Sequence, residues 1–235
     1  MTPVRPAAVP RAVLFDAGNT LLRMNYGAIV AALAAEGVAT DEAAVEDAEL
    51  RARVRIDRHL APGASTESVA THDRYVGYLL EGLGVTDPDV VAAMSRWRWS
   101  FNAPRGLWTR RDPAAPAALA RARAAGLVVG AISNSNGTVA RILEEAGLGG
   151  GLDFVLDSSV VGVEKPDPRI FRLGLERAGV PASAAAYVGD LYSVDVLGAR
   201  GAGLTGILID PRGYWGPRDC PLARDADDAV RWLLE

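Results

Sequence analysis

The chain has 235 residues, of which 49% are hydrophobic and 23% charged, and its formal net charge is −4. That length buries a substantial core and suits one α/β unit carrying an insertion. The charge balance gives no reason to expect nucleic acid or an anionic membrane surface as a partner, and the apolar runs, cut by Arg or Gly, are too short to span a bilayer.

The opening Met1-Thr2-Pro3-Val4-Arg5-Pro6 lacks the continuous apolar core of a secretory signal. The single Cys220 has no partner for an internal disulfide, so a reducing, cytoplasmic setting is expected. A first strand is expected over Ala12 to Phe15, ending abruptly in Asp16 and the small-residue turn Ala17-Gly18-Asn19-Thr20. Thr20 reads as packing or turn support. The pattern then becomes helical. Ile29 and Leu33, then Val45, Leu50 and Val54, recur at helical spacing among charges. Tyr75, Val76, Leu79, Leu80 and Leu83 form another stripe, and Val90, Val91, Met94 and Trp97 a third. Gly82-Leu83-Gly84 and Asp87-Pro88 act as stop and start signals, so residues 23–107 read as an insertion of about four helices.

From Asp112-Pro113 onward helix and strand alternate. Helices are expected over 114–125, 136–146, 168–178, 194–202 and 225–234, the three middle ones ended by Gly147, Gly179 and Gly203. Strands are expected over 127–133, 154–156, 186–188 and 205–209. Continuous apolar strands between amphipathic helices imply an α/β fold with a parallel sheet covered on both faces. The stretch Tyr214-Trp215-Gly216-Pro217, with Arg212 and Cys220, reads as a long loop without a role.

Four islands carry chemistry: Asp16 after the first strand, Ile132-Ser133-Asn134, Glu164-Lys165-Pro166-Asp167-Pro168, and Tyr187-Val188-Gly189-Asp190 followed by Asp195. A carboxylate at the carboxyl end of a buried strand lies where open α/β sheets keep their ligand crevice. A hydroxyl at Ser133, with backbone N–H groups at a helix start, can hold an anionic oxygen; the plain alternative is an N-cap by Ser133, Asn134 or Ser135. Of the 25 basic residues Lys165 is the one lysine, a compact point charge among arginines. Asp167 is placed to cap the helix that follows.

In order and spacing these islands resemble the haloacid dehalogenase (HAD) superfamily of phosphoryl-transfer hydrolases, over nearly the whole chain beyond the first ten residues. The resemblance implies a Rossmann-like three-layer core over 10–22 and 108–235, with a helical cap of the C1, subfamily I type over 23–107. It implies Asp16 as nucleophile, Ser133 and Asn134 as holders of the phosphoryl group, and Lys165 as the cation that neutralises the crowded anionic site. It also implies Mg²⁺, held by the Asp16 carboxylate, the Gly18 backbone carbonyl and Asp190, with Asp195 as a further or alternate ligand or simply a helix-start residue. The substrate so implied is a small phosphorylated metabolite. Nothing in the sequence sets an oligomeric state.

One position departs from the phosphatase pattern. Most phosphatases of this superfamily carry a second aspartate two residues after the nucleophile, and here Gly18 offers no proton. Positioned acid–base catalysis contributes about 10²–10⁴ in rate, so good leaving groups are expected to be favoured. His59 or His72, the two histidines, could replace the acid. Phosphonate-cleaving relatives need a cap lysine, and residues 23–107 contain none. The alternatives are a metal-independent 2-haloacid dehalogenase, although such enzymes show an aromatic residue where Gly18 stands, or a non-catalytic protein that binds a phosphorylated ligand. Trp97, Trp99 and Trp108, with Arg96, Arg98 and Arg105, are expected chiefly to pack at the return from insertion to core; the other reading is a pocket for an anionic or aromatic substrate.

Overall fold

The computed structural model describes residues 9–61 and 63–235; the leader reading of residues 1–6 lies outside them. The first strand, β1 (Ala12–Phe15), is wholly buried and alternates between two cores. Val13 and Phe15 pack with one set of helices, Ala12 and Leu14 with the other. That two-sided burial is why the strand reads as an unbroken apolar run rather than an alternation.

After β1 come a short strand β2 (Leu22–Met24) and four helices: α1 (Tyr26–Ala35), α2 (Glu42–Leu60), α3 (Val69–Gly82) and α4 (Pro88–Ser100). Their starts follow from capping chemistry. Asp41, Ser68 and Asp87 accept N–H bonds from Ala44, Thr71 and Asp89, and Pro88 occupies the first turn of α4, where no N–H is needed. The four helices bury their own core, with Ile29 and Leu33 against Val45, Ile56, Leu79 and Met94. The chain returns through β3 (Trp108–Arg111), antiparallel to β2. This ribbon was not foreseen: Arg23, Arg110 and Arg111 give its short strands no apolar alternation to read.

The remaining elements are α5 (Ala115–Ala124), β4 (Val128–Ser133), α6 (Val139–Glu145), β5 (Phe154–Asp157), α7 (Ser158–Val161), α8 (Pro168–Ala178), β6 (Ala185–Gly189), α9 (Leu197–Gly201), β7 (Thr205–Ile209), β8 (Leu222–Ala223) and α10 (Ala226–Leu234). Six strands form one parallel sheet in the order β5-β4-β1-β6-β7-β8. Helices α5, α6 and α10 cover one face and α8 and α9 the other. The result is the three-layer α/β arrangement expected.

Two helix starts differ from expectation. Helix α6 begins at Val139 rather than 136, because Asp157 at the end of β5 accepts the N–H groups of Gly137 and Val139. The helix expected from 194 instead opens with a π-helical turn over Tyr192–Val196. The loop after β7 also gains a role. Asp210 accepts N–H bonds from Tyr214 and Trp215, Trp215 packs with Cys220, and Arg212 and Tyr214 reach Asp47 on α2. It ties the sheet to the insertion.

Candidate active site

Three adjacent strands deliver polar and charged residues to one edge of the sheet. Asp16 follows β1, Ser133 ends β4, and Asp190 follows β6; β1 lies between the other two. Parallel pairing puts their carboxyl ends side by side, the general location of ligand crevices in such sheets. Lys165, on the loop before α8, donates to Asp16 Oδ1 at 2.6 Å, to Asp195 Oδ1 at 2.7 Å and to the Tyr187 hydroxyl at 2.9 Å. All four side chains are buried. Asp195 turns its other oxygen to the backbone N–H groups of Asp190 (3.1 Å) and Leu191 (2.9 Å). The π-helical turn places that carboxylate, and Gly189 makes the room for it. A Cβ at Gly189 would stand 2.3 Å from the Asp195 carboxyl carbon.

Four of the sequence-derived positions therefore meet: Asp16, Lys165, Asp190 and Asp195. One carboxylate oxygen from each of Asp16, Asp190 and Asp195 lies within 4.8 Å of the others. Gly18 also lines the cavity above them, as does Ser133. Asn134 has a different environment from the one its motif suggested. Its amide accepts from the Lys165 backbone N–H (2.7 Å) and donates to the Lys165 carbonyl (2.9 Å) and to Thr66 Oγ1 (2.8 Å). It pins the lysine loop and touches the insertion. The N–H groups at the start of α6 face Asp157, and that of Ser135 faces Ser158 Oγ.

Several residues at the site were not legible as such. Asn19 takes a left-handed backbone (φ 53°) that asparagine tolerates; its amide donates to Asp190 Oδ2 at 3.1 Å and accepts from the Trp108 indole at 2.8 Å. Arg53 lies 3.7 Å from Asp190 Oδ2 and forms a two-pronged pair with Glu49, at 2.6 Å on each oxygen. Glu49 also accepts from the hydroxyls of Tyr26 and Tyr75. In the sequence, Glu49 and Arg53 look like an ordinary i,i+4 pair on a helix surface. Nothing local says that this face of α2 closes over the sheet.

Burial dominates the electrostatics. It raises the Asp16 carboxyl to about 6, against the opposing pull of Lys165 and with a further push from Asp195. Burial also raises Asp190 well above the usual range, only partly offset by Arg53. For Lys165 burial works downward, but Asp16 and Asp195 outweigh it and hold the ammonium charged. In this buried cluster the carboxylates of Asp16, Asp190, Asp195 and Glu49 outnumber the cations Lys165 and Arg53. A divalent cation would offset that excess of negative charge. Hard carboxylate oxygens at this separation, next to a cavity that admits waters and a phosphate, fit Mg²⁺.

The cavity holds about 370 Å³ between the sheet edge and the insertion. Trp108 covers Gly18, its Cδ1 lying 3.5 Å from where a Gly18 Cβ would be. Tyr75 lies parallel to Trp108 with ring centroids 6.1 Å apart, and His72 packs edge-on to Trp108 and stacks on Trp99 at 6.0 Å. His72 thus lines the cavity, while His59 is not among its lining residues. The expectation of mere packing for the tryptophans needs correction. Trp97 does pack, against Phe101, but Trp99 and Trp108 line the cavity with Arg98. No helix among the described residues is long and apolar enough to cross a membrane.

A family model described as haloacid dehalogenase-like hydrolase matches residues 10–203. The chain belongs to the haloacid dehalogenase-like hydrolases. It is 31% identical over 206 residues to haloacid dehalogenase-like hydrolase domain-containing protein 3 of Mus musculus, covering 85% of this chain and 81% of that one. It is 43% identical over 99 residues to a phosphoserine phosphatase of Thermus thermophilus, covering 42% of this chain and 40% of the other. The crystal structure of a dehalogenase with an intermediate complex superposes with a TM-score of 0.64 at 21% identity, over 97% of this chain and 99% of that one, a likeness of fold.

Proposed function

We propose that the protein is a Mg²⁺-dependent phosphatase of small phosphorylated metabolites, with Asp16 as the covalent nucleophile. The observation that carries this reading is the buried ammonium of Lys165 bonded to both Asp16 and Asp195 at the floor of the cavity. An Asp16 oxygen attacks phosphorus, the bond from phosphorus to the leaving oxygen breaks, and the leaving group departs as an oxyanion that takes its proton from water. Water then attacks the phosphorus of the aspartyl-phosphate, the bond to the Asp16 oxygen breaks, and inorganic phosphate and the free carboxylate result. Lys165 neutralises negative charge throughout, and Ser133 holds a phosphoryl oxygen. Asp16, the Gly18 carbonyl and Asp190 would hold the Mg²⁺, which supplies positive charge between carboxylate and phosphoryl group. Asp195, with both oxygens engaged, braces Lys165 and the Asp190 loop. The insertion of residues 23–107 acts as a cap that excludes water and selects the substrate. The free, buried Cys220 suits a cytoplasmic setting.

A screen of aryl, acyl and alkyl phosphates with and without Mg²⁺ tests the reading. Aryl and acyl esters should turn over only with the metal, and Asp16→Asn should lower the rate at least about 10³-fold, as loss of a covalent nucleophile does. The missing acid at Gly18 keeps the dehalogenase reading open to test: metal-independent chloride release from 2-chloropropionate would select it. Tight phosphate binding with no turnover of any ester would select a binding protein.

A further inference from the structure

One charged side chain on the cavity wall has no counter-ion. Arg98, on the last turn of α4, is 8% exposed and lines the cavity, yet among the described residues no carboxylate lies within 4 Å of its guanidinium. The guanidinium lies over the face of Trp99, its carbon 4.0 Å from the ring centroid. The neighbouring acids have other partners: Asp73 accepts from the Trp99 indole at 3.2 Å, and Glu67 lies 3.9 Å from His72. Arg105, the other cavity arginine, is paired with Glu145 at 2.9 Å across to α6. Burial depresses the Arg98 guanidinium, with Asp73 and Glu67 opposing only at a distance. A buried, unpaired guanidinium is costly unless something anionic meets it.

The path from Asp16 to Arg98 is walled by rings. Trp108 lies over Gly18, His72 meets Trp108, and Trp99 contacts both His72 and the Arg98 guanidinium. We propose that Arg98 receives a second oxyanion on the substrate, so that the cavity selects phosphate esters of flat, carboxylate-bearing leaving groups over their uncharged analogues. The planar fork of arginine matches a carboxylate by paired hydrogen bonds. This specificity rests on the hydrolase reading of Asp16 given above. Arg98 touches the substrate's recognition group, not the reacting phosphorus.

The test pairs 3-carboxyphenyl, 4-carboxyphenyl and 4-(carboxymethyl)phenyl phosphate each with its neutral carboxamide, so that shape stays constant and only charge changes. For at least one pair the carboxylate should show a KM lower by about 10- to 100-fold, the range for a charge-assisted hydrogen bond. Arg98→Gln should erase that gap by raising the KM of the carboxylate ester, with KM changing more than kcat. Arg98→Lys should restore part of it. Calorimetric binding of the matching carboxybenzylphosphonate and its carboxamide reads the same preference without turnover. If no ester is hydrolysed but the phosphonate preference persists and needs Arg98, the assignment of Arg98 stands and the phosphatase reading falls. If esters are hydrolysed with no carboxylate preference in any pair, or with a preference that survives in Arg98→Gln, the assignment of Arg98 is overturned.

Discussion

Asp16 and Asp190 both hold protons more tightly in the folded protein than in the unfolded chain. A carboxyl raised to about 6 stabilises the metal-free fold fully below its unfolded value of 3.8, and that contribution is lost as pH rises through about 6. Metal ligation requires the deprotonated form, so the two equilibria oppose each other. Mg²⁺ affinity, followed by calorimetry, should climb by at least about tenfold per pH unit below about 6, because Asp16 and Asp190 must both release their protons. A flat profile across that range would contradict the buried cluster as the metal site. At Gly18, a Cβ would meet Trp108 and the Asp16 carboxylate at ordinary contact distances. Gly18→Asp should raise alkyl ester turnover relative to aryl by about tenfold or more, within the range for positioned acid catalysis. Unchanged ratios would show that proton delivery does not limit the rate. Of these residues, Asp16, Asp190 and Asp195 were legible from motifs at or just after a strand end, and Lys165 as the one lysine of the chain, on the loop before α8. Asn19, Glu49, Arg53 and Tyr75 were not, since their roles depend on α2 and α3 folding down over the sheet edge, which no local spacing records.

The site depends at the level of elements on the end of β6 and the π-helical turn after it. Gly189 lets the Asp195 carboxylate approach the strand, where it takes two backbone N–H groups and one proton of Lys165. Gly189→Ala would drive a methyl group into that carboxylate. The expected cost is roughly 2–4 kcal/mol by denaturant unfolding, since overpacking is joined by disturbance of a buried ion pair. A change below about 0.5 kcal/mol, the range of a neutral surface substitution, would contradict that geometry. Strand and helix existence was readable because β1, β4, β6 and β7 are buried on both faces, and because Gly82-Leu83-Gly84 and Asp87-Pro88 punctuate the helical stripes. The delayed start of α6 was not, because its cap comes from Asp157 on a neighbouring strand rather than from the residues ahead of the helix. The β2–β3 ribbon was hidden for a similar reason: its partners lie in distant stretches of sequence, with arginines facing solvent.

In the whole molecule the four-helix insertion and the sheet edge share one charged interior. Arg53 reaches Asp190, Asp57 accepts from the Ser193 N–H and hydroxyl at 2.7 Å each, and Ser65 donates to Glu164 at 3.0 Å. The cavity is thus lined by residues from both the insertion and the sheet edge. Rapid mixing of excess protein with an aryl phosphate and Mg²⁺, followed by acid quench and mass analysis of the peptide containing Asp16, tests the central claim most directly. The account predicts that this peptide transiently gains the mass of one phosphoryl group at Asp16 and loses it to hydroxylamine. Turnover in which that peptide stays unmodified at every time point, with the adduct absent or on another residue, would contradict it.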